Sequence, residues 1–209
     1  MSKSTKIVAL ITALLALTTG VWFSYREVFT RGLDHLPSKV CDEAVKRETV
    51  MRTLPDARSA EEGSDTIGAG YGFMFTCHIN TTSESLLSGE SEIQDSSQKS
   101  WEKYYKSYGG ESKGKTEQTA EGGVYALSRG DFASVYVPCV PRGSKAVDAS
   151  QAPALITEVR VIGESRATGP ALHQALVDFA YEMTRHAYAL GKCQNAHKFP
   201  DELPRFGKS

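Results

Sequence analysis

The sequence predicts an α+β domain, one antiparallel sheet with helices packed on one side of it, stapled by two disulfides and carried behind an N-terminal transmembrane helix. Three observations predict it. Residues 7–25, IVALITALLALTTGVWFSY, form an uncharged apolar run. Beyond them, segments of strand composition separated by short turns alternate with three segments of helical periodicity. Four cysteines, Cys41, Cys77, Cys139 and Cys193, are spread across those segments.

The nineteen residues of the apolar run cover roughly 28 Å as a helix, close to the hydrocarbon thickness of a bilayer. Lys3 and Lys6 precede the run, while Trp22, Phe23 and Tyr25 close it as an aromatic belt. Positive charge in front favours an N-terminus inside and a C-terminus outside. Residues 1–6 are then cytoplasmic, 26–37 a tether, 38–194 the extracytoplasmic domain and 195–209 a polar, loose tail. A cleaved signal peptide is the competing reading. The run ends Gly20-Val21-Trp22-Phe23, without the small residues a signal peptidase needs, so an uncleaved signal anchor is favoured. Both readings put the domain outside the cytoplasm.

Residues 1–32 hold four basic side chains and one acidic, which leaves 20 basic against 24 acidic in the rest of the chain. That mild acidity carries no electrostatic footprint for nucleic acid. In an oxidising compartment an even set of cysteines implies two disulfides. Four cysteines permit three pairings, and the sequence leaves them open. Zinc would want close pairs such as C-x-x-C, and these four lie far apart. No metal and no cofactor are expected.

Element by element, Ser38 is placed to cap a helix over 39–54, with Val40, Ala44, Met51 and Leu54 near helical spacing and Pro55 ending it. Residues 56–70 are polar and read as an exposed loop. Residues 71–80, YGFMFTCHIN, and 86–93 have strand composition. A helix over 96–108 carries Trp101, Tyr104, Tyr105 and Tyr108 at i, i+3, i+4 and i+7, with Asp95 or Ser96 as cap and Gly109-Gly110 as stop. Residues 111–121 read as a polar loop. Strands over 123–128 and 132–139 are joined by Arg129-Gly130-Asp131, a glycine-containing hairpin turn. A loop over 142–153 leads to a strand over 155–162, LITEVRVI. The closing helix spans 170–192, capped by Thr168, with Leu172, Leu176, Phe179, Met183 and Leu190 as its apolar stripe. Asp178, Glu182 and Arg185 lie off that stripe.

The phrases LPSKVCDEAV, FTCHI, YVPCV and FAYEMTRHAYALGKCQ, spread over about residues 36–194, set one cysteine in the opening helix, one after a strand, one ending a strand and one on the closing helix. In that layout the chain resembles small membrane-anchored extracytoplasmic domains of actinobacteria, including lipoproteins and the sensor ectodomains of receptor-type Ser/Thr kinases. No kinase follows here and no lipid-attachment cysteine precedes. The resemblance implies the pairs Cys41–Cys77 and Cys139–Cys193. It also implies a binding, sensing or envelope-interaction module with no catalytic residues, partnered by a small ligand or an envelope protein.

Sharper motifs have plainer readings. Gly68, Gly70 and Gly72 form G-x-G-x-G, but the run leads into a strand, whereas a phosphate loop opens a helix. Arg129-Gly130-Asp131 is ordinary turn chemistry. No serine stands in G-x-S-x-G, and cysteines held in disulfides are not nucleophiles. His173 and His186 are thirteen residues apart on one helix, about 220° around it. Glu182 and His186, at i and i+4, read as a structural pair. Trp101, Tyr104, Tyr105 and Tyr108 pack the helix on the sheet, and part of that stripe is a candidate lining for a groove. A binding module predicts a mostly apolar cleft. A hydrolase, the alternative, predicts converging titratable groups with shifted pKa values, and a structural or assembly protein predicts only an exposed apolar patch.

Overall fold

A computed structural model of the protein describes residues 11–12, 14–22, 24–25, 31–107, 115–143, 152–194 and 196–206. After a 3-10 turn at Gly32–His35, the chain runs through a hairpin of β1 (Lys39–Val40) and β2 (Val45–Lys46) into α1 (Arg47–Thr53). There follow β3 (Ala60–Ile67), β4 (Met74–Thr81), β5 (Leu86–Asp95) and α2 (Gln98–Ser107). Then come β6 (Glu117–Glu121), β7 (Val124–Arg129), β8 (Phe132–Pro138), β9 (Pro153–Ile162) and α3 (Gly169–Leu190).

Seven strands make one antiparallel sheet in the order β3-β4-β5-β9-β8-β7-β6. Hairpin links join neighbours in sequence, and β9 closes the gap between the two meanders by pairing with both β5 and β8. Side chains alternate across a strand, and here both faces are used. On β9, Leu155, Thr157, Val159 and Val161 face α3, whereas Ala154 and Ile156 join the cluster of Trp101 and Tyr105 beneath α2. The helices therefore cover the sheet from opposite sides, correcting the expectation of helices on one side. The strong alternation of β8 and β9 had room for apolar residues on both faces, as a strand at the centre of a sheet does.

The helix expected over 39–54 begins only at Arg47. Cys41, Asp42 and Glu43 are all left-handed, with φ of 54°, 55° and 61°. They form a turn that folds Val45 back against Val40. Left-handed backbone costs roughly 1–2 kcal/mol per residue. What holds it are the bond of Cys41 to Cys77 and the Cys41 N–H, which donates to the Glu62 carboxylate at 2.8 Å. Val40, Val45, Val50 and Leu54 are buried, so the apolar residues sit inside as expected but on a hairpin and a short helix.

Two of the expected loops are edge strands. β3 occupies most of 56–70 and β6 the end of 111–121, and each pairs on one side only. Gly68 and Gly70, at φ of 68° and 62°, make the turn from β3 into β4; a Cβ on Gly68 would lie 2.0 Å from the Gly72 carbonyl oxygen. The cap of α2 is Ser97, whose hydroxyl accepts the Ser100 N–H at 3.2 Å, one residue beyond the expected Ser96. The expected stop at Gly109-Gly110 lies outside the described residues.

The tail after α3 is not loose. Residues 196–206 lie along α3: Leu203 is buried, Phe199 and Phe206 pack on the core, and the Tyr181 hydroxyl donates to the Pro200 carbonyl. Two disulfides form, Cys41–Cys77 and Cys139–Cys193, closing separations of 36 and 54 residues. The described residues of 11–25 are helical with exposed side chains. Among the described residues no helix is long and apolar enough to cross a membrane. Residues 7–10, 13 and 23 of the expected span lie outside them.

Candidate functional site

The outward, polar face of α3 builds a broad concavity. Asp178, Glu182 and Arg185, three or four residues apart, project on one side of the helix. The β1–β2 hairpin and α1 form the second wall through Lys39, Lys46, Thr49 and Arg52. The tail forms the third through Asp201, Glu202 and Arg205. The enclosed volume is about 640 Å³.

Glu182 is its central group. One carboxylate oxygen accepts the Lys46 N–H at 2.7 Å and the other accepts the Thr49 hydroxyl at 3.0 Å. Burial pushes the Glu182 pKa above the usual carboxylate range, and these two donors oppose the shift. Asp178 is fully engaged. It receives Arg52 and Arg205 on one oxygen, both at 2.8 Å, and the Gln174 amide on the other at 2.9 Å. A single carboxylate thus ties α1 and the tail to α3.

His186 lines the same cleft but does not bond to Glu182. Its ring packs on Phe75, centroids 5.1 Å apart, and its Nε2 lies 3.7 Å from the Asp42 carboxylate on the left-handed turn. The pair expected from i, i+4 spacing is therefore two separate contacts converging on one cavity. His173 faces the other end of α3. Its Nε2 accepts the Gly130 N–H at 3.1 Å, so the Arg129-Gly130-Asp131 turn is docked on the helix, and burial holds the imidazole below its ordinary pKa.

The aromatic stripe divides. Trp101 and Tyr105 are buried between α2 and the sheet, where the indole N–H donates to the Ser134 hydroxyl at 2.9 Å and the Tyr105 phenol to Glu158. Tyr104 is exposed, edge-on to Tyr105, and Tyr108 lies outside the described residues. Of the stripe, Trp101 does line a groove, a small one of about 250 Å³ against β6 and β7.

No group of three His, Cys, Asp or Glu side chains suited to a metal ion occurs among the described residues. The sequence singled out Asp178, Glu182, Arg185 and His186, but not their partners Lys46, Thr49, Arg52 and Arg205. Their one signal was polar placement off the α3 stripe. Comparison with protein-family models, with curated proteins and with solved structures finds no match to this chain.

Proposed function

We propose that the chain is a membrane-anchored extracytoplasmic binding or sensing module, and that the α3 cleft is where its ligand sits. The cleft carries this reading. It has a volume of about 640 Å³, three separate parts of the chain converge on it, and its floor is preorganised by Glu182 and Asp178. Its lining is charged, where an apolar one was expected, which selects the ligand class. Glu182 and Asp178 are committed to internal partners, which leaves Lys39, Lys46 and Arg185 as cations and Glu43, Glu48 and Asp201 as carboxylates to face a guest. A small polar molecule bearing charges of both signs, of the amino acid or short peptide class, fits that arrangement.

Two disulfides suit a compartment outside the cytoplasm, and the apolar composition of 7–25 supports anchoring there by a helix in the bilayer. Exposure of Leu17 and Trp22, each at 67 %, accords with that. A hydrolase reading has one observation in its favour, the raised pKa of Glu182 beside His186 in one cleft. Both Glu182 oxygens already accept internal hydrogen bonds, which makes it a positioned support more than a free acid.

The test is thermal unfolding of the full chain in maltoside micelles against amino acids, dipeptides and, as controls, apolar alcohols. A ligand at a hundred times its dissociation constant adds about 2.7 kcal/mol. The expected result is a raised Tm with a zwitterionic compound, lost in Lys46→Ala and in Asp201→Ala. A flat panel, or a shift unchanged in both variants, contradicts the assignment.

A further inference from the structure

Beyond the cleft, the C-terminal end of α3 carries a second cavity of about 520 Å³. Its charged lining is Arg142, Arg185 and Lys192, with Tyr188, His197 and Phe199 as its ring wall, and among the described residues no carboxylate borders it. That is a local reversal of sign, because residues 33–209 hold 20 basic against 24 acidic side chains. Among the described residues none of the three cations forms an ion pair. Such groups normally draw carboxylates on a mixed surface, so three that converge on one hollow without any are placed for an anion from outside.

The frame beneath them is fixed. Arg142 follows Cys139 by three residues and Lys192 precedes Cys193 by one, so the Cys139–Cys193 bond holds both. The Gln194 N–H donates to the Val140 carbonyl at 2.7 Å, and Pro141 bridges to Cys193. Lys192 is left-handed, φ 51°, at the position where helices commonly stop in that conformation. His197 sits in the ring cluster, 5.7 Å from Tyr188 and 4.6 Å from Phe199 by centroids, and its Nε2 is buried with no hydrogen-bond partner.

We propose that this cavity is an oxyanion site for a phosphate group, held by Arg142, Arg185 and Lys192 and presented on a small molecule or lipid whose less polar part lies against Tyr188 and Phe199. Two guanidinium forks and an ammonium match a compact dianion with several acceptor oxygens, where a lone carboxylate would leave donors unused. The site is separate from the α3 cleft, sharing only Arg185 with it.

The test is amide NMR of the full chain in maltoside micelles, titrated with inorganic pyrophosphate against sodium chloride of equal ionic strength. A second arm uses nanodiscs of dioleoylphosphatidylglycerol or dioleoylphosphatidylcholine. Saturable shifts around Arg142 and Lys192 with pyrophosphate identify a free phosphate compound. Shifts confined to phosphatidylglycerol discs identify a lipid headgroup. In either case Arg142→Gln with Lys192→Gln binds about tenfold more weakly or worse, while Lys46→Ala leaves binding unchanged. Both cations are exposed, so the substitutions leave the core intact. Absence of saturation in every arm, or equal binding by the double variant, overturns the proposal without touching the cleft assignment.

Discussion

His173 illustrates how one side chain couples the fold to pH. Its Nε2 must be unprotonated to accept the Gly130 N–H, and its burial depresses its pKa below the ordinary 6.5. The unfolded chain therefore binds this proton more readily than the folded one. Stability from His173 is fully present above the unfolded pKa and is lost as pH falls through the lower folded value. Urea midpoints measured from neutral pH into the acid range should fall for the natural protein. His173→Gln keeps an acceptor and removes the titration, so its decline over the same window should be shallower. Parallel curves for the two proteins would remove His173 from this role. In the α3-facing layer the hydroxyls of Ser91, Thr157 and Thr184 stand 2.8 Å apart in a row, so buried polar groups between strand and helix are satisfied by one another.

At the scale of elements, the packing of α3 on the sheet depends on a close approach at Gly89. A Cβ there would meet Met183 Sδ at 2.3 Å and Phe179 Cε1 at 3.3 Å, and both side chains are fully buried. Gly89→Ala should destabilise the domain by about 1–3 kcal/mol, seen as a lower urea midpoint with an unchanged m-value. An unaltered midpoint would mean that α3 lifts freely from β5. The same element level explains what the sequence made legible. α3, α2 and the strands β4, β5, β7, β8 and β9 each bury a face, so periodicity locates them to within a few residues. β3, AEEGSDTI, is exposed along nearly all its length, and β6, EQTAE, has little apolar content. An edge strand that buries so little apolar surface leaves no hydrophobic period to read, and charges on such a strand disfavour further pairing. The β1–β2 hairpin was hidden because Val40 and Ala44 happen to fall at helical spacing, while the left-handed turn between them depends on Glu62 and Cys77 far along the chain. The candidate cleft was half legible for the same reason. Asp178 and Glu182 stood out as polar positions on α3, but Lys46, Thr49 and Arg52 reach them across 126 to 136 residues of sequence.

For the whole molecule, the disulfides fasten the periphery to the centre. Cys41–Cys77 holds the hairpin wall of the cleft to β4, and Cys139–Cys193 holds the end of α3 to β8, beside the cationic cavity. Closing loops of 36 and 54 residues removes unfolded-state entropy worth about 4 kcal/mol each, a large share of the total stability of an ordinary domain. Both cavities are thus framed by covalent closures of a kind favoured in an oxidising compartment. A non-reducing peptide map of the protein taken from its native membrane fraction, with free thiols alkylated first, tests that link most directly. Linked Cys41–Cys77 and Cys139–Cys193 peptides and no alkylated cysteine are expected. Four alkylated cysteines, or recovery of the chain outside the membrane fraction with residues 7–25 intact, would contradict that expectation.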